Sequence, residues 1–289
     1  CCFYRAPTDN DGIARFRRRH ISEWNHIFLN HFSFTCRLLK TEQKKDRVVV
    51  EAEGVCCPQS KYVGYRMKMV YELFADGAIL FDITGTPYGR MTEVIPRIGM
   101  VFRLDKKFRN ISWCGRGPGH SYRDFKRSAP VGRYSACVEE MNFQYDMPQE
   151  TGNHEDTRWV CLSDGDGNGL TAASISPFAF SCHDFSLNAL TEAEHRNELI
   201  RSDNWNYLYL DYAMRALGSR SCGPEPEPEY ELHPHTYRQV FVLAPGCGEE
   251  TAQTLARTDF GKRSQALSGP YHCPEETAHA AEYADCDLE

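Results

Sequence analysis

A large antiparallel β-sandwich is the all-β fold that this sequence predicts, on three observations. Short runs alternate apolar and polar residues with the two-residue period of a strand, turn-forming Gly, Asp and Asn separate them, and segments of helical period are few. In chain order, Val48-Val49-Val50-Glu51-Ala52 reads as a strand. Tyr65 to Leu73 alternates, Asp76-Gly77 follows and Ile79 to Ile83 alternates again, which describes a hairpin whose turn calls for positive φ. Val160-Cys161-Leu162 and Gly169-Leu170-Thr171-Ala172 flank the glycine-rich turn Ser163 to Asn168, and Tyr207 to Tyr212 is a further strand. The longest helix candidates are Thr191 to Ile200 and Glu249 to Arg257. Beyond about Pro245 the chain turns polar and poor in β-branched residues, so residues 1–245 are expected to form the sandwich and 246–289 a peripheral or disordered tail.

Composition narrows the class. The 289 residues are 41% hydrophobic and 12% aromatic, enough for a large core. A net charge of −7 argues against a nucleic-acid partner, and the basic run Arg15-Phe16-Arg17-Arg18-Arg19 is expected to be a solvated loop. No apolar stretch approaches the roughly 20 residues that cross a bilayer, so no membrane partner is expected. The chain begins Cys1-Cys2-Phe3-Tyr4-Arg5, without Met, and reads as a piece of a longer polypeptide. Thirteen cysteines never form a C-x-x-C, which leaves no zinc or thioredoxin signature; free thiols in a reducing cytoplasm are expected.

The chemical motifs are mostly negative. Gly115-Arg116-Gly117-Pro118-Gly119 lacks the Lys-Ser/Thr of a phosphate loop and is read as a turn. Asn197-Glu198 has the form of the Asn-Glu pair of many retaining glycosidases, yet it lies in a polar, helix-like stretch and is read as a surface pair. Retaining hydrolysis needs two facing carboxylates about 5 Å apart. Glu139, Glu140, Glu150, Glu155 and Asp156 are read instead as solvated or capping groups. No G-x-S-x-G nucleophile elbow occurs. No catalytic or metal-ligating residue is assigned to this chain.

Five ordered segments then carry a resemblance. They are Phe3 to Gly12; Trp113 to Pro118 with Tyr122 and Asp124; Gly132-Arg133-Tyr134; Pro148 to Asn153 with Arg158-Trp159; and Leu210-Asp211 with Gly218 to Pro224. Over about residues 3 to 243 the chain resembles the C-terminal domain, or small chain, of glycoside hydrolase family 2 β-galactosidases. That resemblance implies a galactose-mutarotase-like β-supersandwich, here shortened at its N-terminus. It implies packing against a (β/α)₈ barrel, or large subunit, that holds both catalytic glutamates and the Mg²⁺ and Na⁺ sites, in an enzyme cleaving terminal β-D-galactosides with retention. Alone, the chain is expected to be inactive; complete, the enzyme is expected to be a homo-oligomer.

Two loops carry the candidate site. Gly218 to Pro224, GSRSCGP, corresponds to a family loop that leans over the sugar pocket, so Arg220, Ser221, Cys222 and Gly223 are the candidate substrate contacts. Some members carry tryptophan where Cys222 stands, and a thiol cannot stack as an indole does. The plainer alternative is a turn into a strand at Tyr230-Glu231-Leu232. Arg5, Asp9, Asn10, Asp11 and Gly12 are read either as a self-bonded turn or as a loop beside the active site and the barrel. Arg158 is expected in an internal ion pair, and His120 stands where the family often has glutamate. The alternatives are a free-standing aldose epimerase using His154, Glu155, His183 or His195, and a non-catalytic carbohydrate-binding module with Trp24, Trp159 or Trp205 exposed in a groove.

Overall fold

A computed structural model describes residues 1–12, 19–60 and 62–258. Residues 15–18 of the basic run and residues 259–289 of the segment 246–289 lie outside the described residues. Among the described residues eleven antiparallel strands dominate: β1 (Ser33–Gln43), β2 (Arg47–Cys57), β3 (Gly64–Phe74), β4 (Ile79–Tyr88), β5 (Arg97–Asp105), β6 (Asn110–Arg116), β7 (Val131–Cys137), β8 (His154–Ser163), β9 (Gly169–His183), β10 (Trp205–Met214) and β11 (Tyr237–Pro245). Among the described residues three short α-helices accompany them: α1 (Arg19–His26), α2 (Leu187–Glu192) and α3 (Glu249–Arg257).

The strand order is β1-β2-β3-β4-β11-β9-β8-β6-β7, with β10 pairing both β9 and β5. The branch point is the 15-residue β9: Leu170 to Ala173 pair with β11, whereas Ala179 to His183 pair with β10. One edge of β9 thus serves two neighbours along its length, and β8 pairs with the other. The two arms meet face to face, since Phe102 of β5, a strand that pairs with β10, lies 5.7 Å from Phe81 of β4 and 6.1 Å from Phe241 of β11. Phe81 and Phe241 stack at 4.8 Å, and Trp113, Phe180, Leu208 and Ile83 extend the same core.

The predicted hairpin is β3–β4, closed at Gly77 with φ 85°, and Gly167 with φ 85° closes the β8–β9 turn. The helix expected at Thr191 to Ile200 is not one helix. α2 begins earlier because the Ser186 hydroxyl caps it by accepting from the Ala189 N–H at 3.1 Å, and Arg196–Glu198 forms only a 3₁₀ turn. No strand forms at Tyr230–Leu232; Pro228–Tyr230 is a 3₁₀ turn. Helix α3 buries Ala252 against Trp159, Cys161 and Val242, so packing on the sandwich continues past residue 245.

Candidate functional site

The site begins with a buried ion. Arg5 has no exposed surface; its guanidinium donates to both carboxylate oxygens of Asp11 at 3.0 Å and to the carbonyls of Arg215 and Ala216 at 2.7 and 3.1 Å. Asp11 also accepts from the Thr8 N–H and hydroxyl, which closes the 3₁₀ turn Asp9–Asp11, and Gly12 ends that turn with φ 108°. The same carboxylate receives Arg215 at 2.7 Å, and Arg215 continues to Glu231 at 2.5 and 2.8 Å. A charge with this little water must be paired, and the paired set ties the first motif to the end of β10.

From that brace the GSRSCGP loop is pinned on several sides. Asn10 donates to the Gly218 carbonyl at 2.7 Å and accepts from the Ser221 N–H and hydroxyl at 3.0 and 2.7 Å. Asp124 accepts from the Leu217 and Gly218 N–H groups at 3.0 and 2.8 Å. Within the loop, the Cys222 and Gly223 N–H groups donate to the Ser219 carbonyl. Gly218 sits at φ 71°, where a side chain would be strained. Ser221 and Cys222 are exposed.

Arg220 does not face outward with them. It pairs with Glu225 and donates to His20 Nε2 at 3.2 Å. Arg215 donates to the same nitrogen at 3.2 Å, so Nε2 is an acceptor and the imidazole is neutral; burial and the Arg215 charge both push its pKa down. His20, Glu225 and Glu231 group their ligand-type atoms within 4.8 Å. Two guanidinium groups already occupy those atoms, so the cluster does not fit a cation.

Below the loop end lies a second charged group. Arg97 reaches Asp211 at 3.2 Å and Glu150 at 3.7 Å, and Tyr122 donates to Glu150 at 3.3 Å. Burial pushes the Asp211 carboxyl up to about 7 against the pull of Arg97, and raises Glu150 as well. The motif Pro148 to Asn153 joins here: Gln149 exchanges hydrogen bonds with Asp9, and Asn153 bonds Ser121 in both directions through backbone and side chain. Four of the five resemblance segments therefore touch one another at one end of the sandwich. The fifth, Gly132-Arg133-Tyr134, lies in β7 with Tyr134 5.5 Å from Trp113.

Several readings of the sequence need correction. Glu150 and Glu155 are buried rather than solvated, and Arg158 is exposed on β8; the neighbouring Asp156 instead forms a part-buried pair with Arg116 at 2.5 Å, joined by Lys126. Glu140 does cap, accepting from the Cys137 N–H. Trp24 and Trp159 are core residues, and only Trp205 is exposed, lying under Arg103 at 5.7 Å. His154 and His183 are buried among Trp113, Phe180 and Phe185, which lowers their pKa values to about 4 and about 3; His195 is a surface residue paired with Glu198. Each buried carboxylate among the described residues has a cation within 4.0 Å. His20, Arg97, Arg215, Glu225 and Glu231 went unread in the sequence, because their partners lie up to 210 residues away and no local spacing signals them.

The fold and this end define a β-sandwich module whose buried carboxylates, among the described residues, are each paired with a cation. The family model described as beta galactosidase small chain matches residues 1–243, and the chain belongs to that family. It is 42% identical over 156 residues to a β-galactosidase of Arthrobacter sp. strain B7, covering 52% of this chain and 15% of that one. It is 31% identical over 246 residues to that of Kluyveromyces lactis, covering 84% and 23%, and 30% identical over 248 residues to that of Vibrio cholerae, covering 83% and 23%. The chain thus spans a quarter or less of the length of these relatives. Among solved structures, a galactose 1-epimerase from Lactobacillus acidophilus overlaps 72% of this chain and 66% of its own at 10% identity, with a TM-score of 0.44. A putative aldose 1-epimerase from Escherichia coli overlaps 74% and 68% at 12% identity, with a TM-score of 0.31. Both overlaps are loose and carry no weight for activity.

Proposed function

We propose that this chain is the loop-presenting domain of an enzyme that hydrolyses terminal β-D-galactosides, and that the rest of the enzyme's polypeptide supplies the reacting carboxylates. One observation carries the reading: the GSRSCGP loop is held by Asn10 and Asp124 while Ser221 and Cys222 stay open to solvent. A loop fixed in this way offers a sugar its Ser221 hydroxyl, its Cys222 side chain and the close backbone of Gly223 without an ordering cost at binding. Arg220, Arg5, Asn10, Asp11 and Gly12 act as supports for it, and the exposed Asp9 faces the neighbouring polypeptide.

A retaining mechanism requires two carboxylates about 5 Å apart, one protonated and one ionised. The sandwich commits its buried carboxylates to arginine and lysine, which favours placing that pair in the barrel, with the Mg²⁺ and Na⁺ that the resemblance implies. A reducing cytoplasm is the compartment we propose; the eleven described cysteines are free thiols, and no helix among the described residues is long and apolar enough to cross a membrane. Homo-oligomerisation of the complete enzyme belongs to the same proposal.

Hydrolysis of a chromogenic β-galactoside tests the reading. The chain alone should be inactive. In a complete enzyme carrying this domain, Cys222→Trp should change KM several-fold between aromatic and alkyl aglycones, and Asn10→Ala, which frees the loop, should raise KM for both. Unchanged kinetics in both variants, or turnover by the chain alone, would overturn the assignment.

A further inference from the structure

The loop end carries a second surface that the sugar-facing loop does not use. His120 lies 5.9 Å from Phe125 and 6.4 Å from Phe143, and Phe143 lies 4.6 Å from Tyr145. These rings are left in water: Phe143 is 61% exposed and Phe125 44%. Burial on its inner side pushes the His120 pKa down, which keeps that ring neutral near pH 7. Behind Phe143 and Tyr145 opens a cleft of about 330 Å³, floored by Phe185, Leu190 and Leu199. Gln144, Tyr145 and Arg196 also line it, and the Gln144 amide, the Tyr145 hydroxyl and the Arg196 guanidinium make no hydrogen bond or ion pair among the described residues. An apolar, aromatic centre rimmed by unspent polar groups and arginine is the composition of a protein interface core.

We propose that this aromatic cleft is the docking surface for the remaining polypeptide of the enzyme, which inserts an apolar anchor into it. The proposal rests on the function given above and adds where the partner sits. Two observations choose this occupant. The matched segment is only 23% of the Kluyveromyces lactis relative, so about three quarters of such a chain must pack somewhere on or near this domain. The face is also continuous with the loop: Asp124, one residue from Phe125, holds the Leu217 and Gly218 N–H groups, and Gln149 of the cleft wall bonds Asp9. A body that brings a reacting sugar to Ser221 and Cys222 from this side therefore crosses the aromatic rings.

The test uses a chimera in which this chain replaces the matched quarter of the Kluyveromyces lactis enzyme, compared with the 289-residue chain alone by hydroxyl-radical footprinting. Oxidation of Phe143 and Tyr145 should fall at least about fivefold in the chimera. Phe143→Ser combined with Arg196→Glu should lower its hydrolysis at least about tenfold while leaving the melting temperature of the chain alone within a few degrees, since both side chains are exposed. Equal oxidation in the two proteins, or full hydrolysis by the double variant, overturns the docking site but leaves the proposed function standing. Self-association of the chain alone that Phe143→Ser abolishes assigns the face to a second copy, and protection of the chain alone by galactose assigns it to a sugar; either overturns the proposal. A chimera with protected rings but kinetics indifferent to Cys222→Trp and Asn10→Ala would instead sink the proposed function and keep the interface.

Discussion

Along β3 and β4 the positions two apart on one face, Tyr65, Met67 and Met69, and Phe81 and Ile83, pack together in the apolar core, and Arg66 and Lys68 between the first three are more exposed. The loop end is organised differently: Arg5, Asp11, Arg97, Asp211 and Arg215 are buried, and ion pairs and hydrogen bonds, among them Arg5 to the Ala216 carbonyl, Arg215 to Asp11 and Arg97 beside Asp211, tie distant segments together. In the ribbon, position along a strand decides what a side chain does. At the loop end the partner decides it. Apolar burial tolerates shifts of contact because it is non-directional, whereas a buried guanidinium must meet its carboxylate in one geometry. That contrast suits a region whose task is to hold a loop still.

The comparison breaks most visibly at Asp11. Asp11→Ala leaves Arg5 and Arg215 without their shared carboxylate, and loss of one partner from a buried pair costs roughly 3–5 kcal/mol. Chemical denaturation should register that loss as a lowered midpoint. Because the brace carries the 215–224 segment, hydrogen exchange at the Gly218 and Ser221 amides should accelerate first, ahead of β2–β3. A uniform acceleration would mean that the loop end and the ribbon unfold as one unit.

Acid should separate the two regions next. The native pKa values of His154 and His183, about 4 and about 3, lie below the 6.5 of a free imidazole. Below pH 6.5 the unfolded chain therefore binds protons that the native state refuses, and stability falls as pH drops from 6.5 toward 4, levelling once the native groups also protonate. For His154 the difference is on the order of 3 kcal/mol. Asp211 opposes this: its native pKa, raised by burial to about 7, stabilises the fold as pH falls from 7 toward 4. Asp211→Asn removes the opposing contribution, so urea midpoints at pH 7 and pH 5 should lie further apart in the variant than in the parent.

The same contrast explains what the sequence made legible. Strand alternation and the Asp76-Gly77 turn announced β3–β4, because a half-buried strand writes its environment into its own period. α3 was legible for the corresponding helical reason. α2 was misplaced because its start is set by Ser186, a single cap outside the periodic run. The loop end was visible only as ordered motifs. Nothing local distinguishes Arg158, which is exposed, from Arg97, which is buried between Asp211 and Glu150, and Glu150 reads as a solvated acid until Arg97 is brought beside it. Arg220 reads as a ligand contact until Glu225 and His20 claim it.

The smallest effect should come from an ion pair of good geometry in the ribbon. Arg238 of β11 meets Asp82 of β4 through two bonds of 2.8 and 2.6 Å, a more regular fork than Arg97 achieves with Asp211. Geometry alone would rank it above the buried pairs. Yet the Arg238 side chain is 38% exposed, so water solvates the charge whether or not the carboxylate is present. Asp82→Ala should therefore cost no more than about 1 kcal/mol, and 0.5 M salt should remove most of that difference, whereas the Asp11→Ala deficit should survive salt because its charges see little solvent. If the two variants lost equal stability, the division between a ribbon held by apolar burial and a loop end held by buried charge would fail.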